Sequence, residues 1–197
     1  MDLNLNGKWA LVTGGSKGIG LASAKALAAE GVNIHLASRT AEDLEKAKED
    51  IGGRYNVAVE THAVDLSDAD KRKGLVDDVG ALDILVNNAG GQFVSAAKDL
   101  TNKGFAAVIR NNLIGSWQVT KAAADAFMFE NGGKVIFVTA AHRSGFRGFA
   151  HTASARGGVS ALMKSLAAEW AEYGILLNAV APGTIKVDAM AQYPIPP

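Results

Sequence analysis

Trp9-Ala10-Leu11-Val12-Thr13-Gly14-Gly15-Ser16-Lys17-Gly18-Ile19-Gly20 is the stretch on which the fold turns. An apolar run enters a glycine-rich turn and leaves it into the Ala-rich segment Leu21 to Glu30, which reads as strand, turn, helix. Glycines at 14, 18 and 20 let the backbone turn tightly and approach a ligand, while the first amides of the helix point at whatever occupies the turn. A pyrophosphate meets that description. The spacing Gly-x-x-x-Gly-x-Gly differs from the common dinucleotide fingerprint Gly-x-Gly-x-x-Gly, so from this stretch alone an ordinary glycine-rich turn stays open as the alternative.

Outward from it, further apolar runs follow at Val32 to Ser38, Val57 to Val64, Leu82 to Val86, Lys134 to Thr139 and Ile175 to Val180, the first strand being Lys8 to Thr13. Segments of helical periodicity separate them. Continuous apolarity marks strands buried on both faces, and strands alternating with helices predict an α/β fold: a Rossmann-like, doubly wound parallel sheet in three α/β/α layers. Ligands of such sheets sit at the carboxyl ends of the strands, where strand order reverses. Two helices are expected between Asp99 and Glu130, with Asn112 near their junction, and a long helix from about Thr152 to Tyr173.

A chain of 197 residues fits one domain, 1–197. Its 20 Lys and Arg against 20 Asp and Glu give no electrostatic case for a nucleic acid or an anionic membrane as partner. The absence of cysteine excludes disulfides and thiolate metal sites, and no metal site of another kind is read in the sequence. No apolar run approaches the roughly 20 residues that span a bilayer, so the expected location is cytoplasmic.

Four more stretches decide the relationship: Leu82-Asp83-Ile84-Leu85-Val86-Asn87-Asn88-Ala89-Gly90, Asp65-Leu66, Asn112-Leu113-Ile114-Gly115 and Asn178-Ala179-Val180-Ala181-Pro182-Gly183. With the glycine turn they stand in the order of the short-chain dehydrogenase/reductase family, which the chain resembles over nearly its whole length. The resemblance implies a nicotinamide cofactor. Its phosphates would lie on Gly14, Ser16, Lys17, Gly18, Ile19 and Gly20, and its adenosine half beside Asn88, Ala89 and Gly90. Asp65 and Leu66 would meet the adenine, and Pro182 and Gly183 the nicotinamide. The family usually continues past the Pro-Gly motif through a substrate-covering segment, a helix and a final strand. Here Ala191 to Pro197 follow almost directly, so the sheet is expected to lack the usual last strand, leaving the edge at Ile175 to Val180 in need of cover.

The second strand ends Ala37-Ser38-Arg39-Thr40. An acidic residue there would accept hydrogen bonds from the ribose 2'-hydroxyl, whereas Ser38 and Arg39 suit a 2'-phosphate, which a guanidinium binds through two parallel hydrogen bonds. Lys17 adds a second cation. NADP(H) is therefore expected over NAD(H).

The active site departs from the family at Thr152-Ala153-Ser154-Ala155-Arg156. Residues four apart share a helix face, so Thr152 and Arg156 project together toward the cofactor. By resemblance those positions hold the proton-donating tyrosine and the lysine that binds the nicotinamide ribose. A threonine hydroxyl is far too weak an acid to replace a tyrosine whose pKa starts near ~10. Arg156 can hold ribose hydroxyls but is a poor proton relay. The usual serine position falls on Ala140, or on Thr139 if the register slips by one, which leaves Asn112 as the family's surviving catalytic residue.

Reduction of a ketone needs a nearby acid for the nascent alkoxide. Conjugate reduction of an unsaturated thioester places charge on the thioester oxygen, where hydrogen-bond donors stabilise it while the proton comes from elsewhere. Asn88-Ala89-Gly90-Gly91-Gln92-Phe93, Asn102-Lys103-Gly104-Phe105, His151 to Arg156 and Lys164-Ser165-Leu166-Ala167-Ala168-Glu169-Trp170 are similar to the peroxisomal trans-2-enoyl-CoA reductase and 2,4-dienoyl-CoA reductase branch. The expected activity is NADP(H)-dependent reduction of a 2-enoyl or 2,4-dienoyl thioester, with Asn112, Thr152, Arg156 and His142 as candidate catalytic residues. His142 would protonate the α carbon or bind the thioester oxygen, with a surface or packing role as its alternative. Two other readings remain: a carbonyl or alcohol reductase with an atypical site, and a catalytically inactive cofactor-binding regulatory or structural subunit. The resemblance also implies a homodimer or homotetramer through the helices 112 to 130 and 152 to 173.

Overall fold

The computed structural model describes residues 2–141, 145 and 147–185. Its strands are β1 (Trp9–Thr13), β2 (Asn33–Ser38), β3 (Val59–Ala63), β4 (Ile84–Asn87), β5 (Gly133–Val138) and β6 (Ile175–Val180). All pair in parallel, in the order β3-β2-β1-β4-β5-β6. Every expected strand is present, displaced by no more than a few terminal residues.

Successive residues of a strand point to opposite faces, and here both faces are covered. Leu11, Leu85, Val135 and Phe137 enter one core cluster. Ala10, Val12, Ile34, Leu36, Ile84 and Val86 enter the other. Two buried faces explain why the strands read as unbroken apolar runs.

The helices between strands are α1 (Gly18–Ala29), α2 (Ala41–Gly52) and α3 (Ala69–Asp77). After β4 the chain forms α4 (Asn102–Ile109), a π-helical turn (Arg110–Ile114), α5 (Gly115–Ala123), a second π-helical turn (Ala124–Met128) and α6 (Phe129–Asn131). The expectation of two helices meeting at Asn112 is thereby corrected, since the run is continuous and Asn112 lies inside a widened turn. Gly115 keeps helical angles, φ −59 and ψ −46, so the extra residue is absorbed without breaking the helix. The long α7 (Ala150–Trp170) runs into a 3-10 turn (Ala171–Tyr173) and stops at Gly174.

Strand order reverses between β1 and β4. The carboxyl ends of these neighbours carry the Gly14 turn and the Asn88 turn, so the two motifs meet at the topological switch point. β6 is the outer strand among the described residues, with Leu176 and Val180 exposed. No helix among the described residues is long and apolar enough to cross a membrane.

Candidate active site

Thr13 joins the two turns at the switch point. Its buried hydroxyl donates to the Val86 carbonyl at 3.1 Å and accepts the backbone N–H groups of Asn88 and Ala89, each at 3.0 Å. The Asn88 side-chain amide returns to the Thr13 and Gly14 carbonyls, at 3.0 and 3.1 Å. Gly14 sits at φ +64, a left-handed conformation that glycine adopts without strain. At the start of α1, Lys17 makes no side-chain cap and the first turn holds no acidic residue. The amides of Gly18, Ile19 and Gly20 thus begin a helix whose electropositive end is not neutralised by the chain. Ile19 packs against the core, Ser16 is partly buried and Lys17 is exposed.

At the end of β2, the Ser38 hydroxyl is buried and has no hydrogen-bond partner. An orphaned polar atom beside an open helix terminus fits a ribose or phosphate oxygen of a dinucleotide. Arg39 is exposed next to it and lies close enough to Asp65 for their charges to interact. The Ser67 backbone N–H and hydroxyl hold the Asp65 carboxyl below its ordinary value, and Arg39 and Lys71 add to this. Lys17 pairs with Asp43 of α2 at 2.7 Å, so service to a phosphate requires exchanging that partner. The cost is small, because an exposed pair contributes only about 0–1 kcal/mol. The Leu66 side chain is in the core and its carbonyl accepts from Arg72, which anchors the turn.

At the reacting end, Asn112 is 1 % exposed and gives its amide hydrogens to the carbonyls of Gly91 at 2.8 Å and Val108 at 2.9 Å. Both amide hydrogens of Asn112 are thus engaged by backbone carbonyls. Its Oδ1 faces Gly90, where an added Cβ would overlap both that oxygen and the Arg156 guanidinium. Arg156 donates through Nη1 to the Val138 carbonyl at 2.7 Å, and desolvation pushes its pKa down to about 10, which leaves it a cation at neutral pH. Asn112, Gly90 and Arg156 therefore meet at one point.

Thr152 is buried, with its hydroxyl 3.2 Å from His151 Nδ1. That nitrogen also accepts the Thr152 backbone N–H at 2.7 Å, which makes it the unprotonated ring nitrogen and places the ring proton on Nε2. Thr139 donates its hydroxyl to the Val180 carbonyl at 3.2 Å. The Ala141 N–H donates to the Pro182 carbonyl at 3.3 Å, which ties the loop after β5 to the Pro182-Gly183 turn. His142 lies outside the described residues.

Thr13, Ser116 and Thr120 were not singled out in the sequence. His151 is fully buried, its Nε2 has no partner, and its ring stands edge to face with Phe93 at 4.4 Å. A polar line runs from Asn87 through Thr120 and Ser116 to the Asn112 carbonyl, each step 2.8 Å. Its signal in the sequence was the spacing of four between 112, 116 and 120. Thr13 had no signal beyond its place before the first glycine.

The short chain dehydrogenase family model matches residues 8–194. The chain belongs to the short-chain dehydrogenase family. It is 36% identical over 191 residues to a probable 2,4-dienoyl-CoA reductase 3 of Caenorhabditis elegans, covering 93% of this chain and 62% of that protein. It is also 36% identical over 201 residues to the D-beta-hydroxybutyrate dehydrogenase of Cupriavidus necator, covering 95% of this chain and 77% of that protein. Among solved structures, the citronellol catabolism dehydrogenase AtuB of Pseudomonas aeruginosa PAO1 superimposes with a TM-score of 0.86 at 36% identity, over 90% of this chain and 74% of that one. Against the C. elegans reductase the short-chain dehydrogenase described here spans less than two thirds of its relative's length.

Proposed function

We propose that this short-chain dehydrogenase binds NADP(H) in preference to NAD(H) and reduces the conjugated C=C bond of a 2-enoyl or 2,4-dienoyl thioester. The observation that carries the reading is the α7 pair: Thr152 and Arg156 stand where the family places tyrosine and lysine, and the Arg156 cation reaches Gly90. Gly14 to Gly20 would hold the pyrophosphate, Ser38 and Arg39 the 2'-phosphate, Asp65 and the Asn88–Gly90 turn the adenosine half, and Pro182 and Gly183 the nicotinamide. The bound nicotinamide would supply hydride to the β carbon.

The chain's own part is to hold the thioester oxygen as it becomes an enolate. Arg156 is a desolvated cation, and a charge in low dielectric stabilises a nearby anion more than it does in water. The Thr152 hydroxyl supplies a hydrogen bond once it turns from His151. Asn112 is a positioning residue that fixes the backbone at Gly91. Water, or His142, gives the proton to the α carbon, and no residue needs the acidity of a tyrosine.

The name of the C. elegans relative supports a dienoyl thioester, while that of the C. necator relative favours carbonyl or alcohol chemistry. The inactive-subunit reading draws on the engaged amide of Asn112 and the Thr152 hydroxyl directed at His151. Assembly as a homodimer or homotetramer through the α4 to α6 run and α7 belongs to the same proposal. Its test is mass spectrometry of the product: NADPH oxidation with an enoyl-CoA should yield a thioester heavier by two hydrogens, and Arg156→Ala should lose at least tenfold in kcat/KM. NADPH binding without turnover of any thioester or ketone would favour the inactive subunit.

A further inference from the structure

On the opposite side of β2 from Ile34 and Leu36, three metal-ligating side chains converge. His35 on β2 is in register with Glu60 on β3, and His62, two residues further, points to the same face. His35 Nδ1 lies 3.0 Å from His62 Nε2 and 3.3 Å from Glu60 Oε2. One ligand atom from each residue falls within 4.8 Å of the others. A tetrahedral zinc ion with ligands at about 2.0–2.1 Å requires ligand atoms about 3.3 Å apart, close to the two separations seen.

The His35 ring is 2 % exposed and stacked on Trp9 at 4.6 Å, which fixes its orientation, whereas the Glu60 side chain is exposed and leaves a route for an ion. We infer that His35, Glu60 and His62 form a divalent-cation site of the zinc class, with two imidazoles, one carboxylate and a water in the fourth position. Two imidazoles with one carboxylate form a borderline donor set that favours zinc over magnesium or calcium. The Asp78 charge acts on His62 and adds attraction for a cation.

The site would tie β3, which pairs only with β2 among the described strands, to the sheet at a point remote from Arg156 and Gly90. It does not depend on the activity proposed above. It also departs from the sequence reading, in which no metal site was expected.

The test uses tag-free protein stripped with a chelator and titrated with zinc chloride by calorimetry, alongside melting temperature with and without one equivalent of zinc. One equivalent should bind with low-micromolar or tighter Kd and raise the melting temperature, and cobalt should give tetrahedral visible absorption. Glu60→Gln and His62→Ala, both at sites accessible to solvent, should each weaken zinc at least tenfold while retaining the circular dichroism of the parent. His35→Leu tests folding as well as binding, so the other two variants decide. No binding below about 100 μM, or binding unchanged in Glu60→Gln and His62→Ala, would overturn the site, and NADPH affinity measured on the same samples reports separately on the cofactor proposal.

Discussion

Thr13→Val removes three hydrogen bonds at the junction of the two cofactor turns while nearly preserving volume. The hydroxyl is 2 % exposed, so water does not replace it easily, and the N–H groups of Asn88 and Ala89 lose their acceptor together with the donor to Val86. A buried polar group left unsatisfied costs about 1–3 kcal/mol. Since both amides are only partly buried, the low half of that range applies to each, for a total of about 2–4 kcal/mol. With a urea slope of about 2 kcal/mol/M, the unfolding midpoint should fall by about 1–2 M. Thr13→Ser keeps the oxygen, loses one methyl group and should cost about 1 kcal/mol. NADPH affinity should fall with Val and hold with Ser. A Val variant within 0.5 kcal/mol of the parent would refute the assignment of Thr13 as the clamp between the turns.

Arg39→Asp removes a phosphate partner and adds a repelling charge, so fluorescence titration should show the NADPH-to-NADH preference shifting by about tenfold or more toward NADH; equal parent affinities would count against the cofactor assignment. Gly90→Ala brings a methyl group onto Arg156 and Asn112 and should cost about 1–3 kcal/mol along with NADPH binding, while Gly80→Ala, which meets nothing within 4 Å, should be near neutral in the same urea titration. Desolvation alone would raise the Asp83 carboxyl, but hydrogen bonds from Lys8 and the Trp9 N–H, with the charges of Lys8 and Lys134, hold it below its ordinary 3.8. Its contribution is therefore present above pH 3.8 and lost as pH falls through the lower folded value, so Asp83→Asn should flatten the acid limb of stability against pH.

The sheet was legible because its central strands β1, β2 and β4 are buried on both faces, and the turns because glycine and asparagine at strand ends have few other uses. What the residues do within the site was less legible. Asn112 was found by its motif, but the π-helical turn that directs its amide at Gly91 and Val108 comes from packing and carries no glycine or proline as a mark. Leu66 was marked by its motif, and the burial of its apolar side chain in the core comes from the packing around it. His151 precedes Thr152 in the sequence, and only the packing of α7 sets its ring against Phe93. The approach of His35 to Glu60 and His62 depends on the register of β2 against β3, a long-range property that local pattern does not encode.

With threonine at position 152 in place of the family's tyrosine, carbonyl reduction should be closed and conjugate reduction left open. The direct measurement is kcat/KM for NADPH oxidation with a 2-enoyl-CoA and a 3-oxoacyl-CoA of the same chain length. The account predicts a preference for the enoyl thioester of about a hundredfold or more, the size of a general-acid contribution, with the saturated thioester as product. Turnover of the 3-oxo thioester at an equal or higher rate would contradict it.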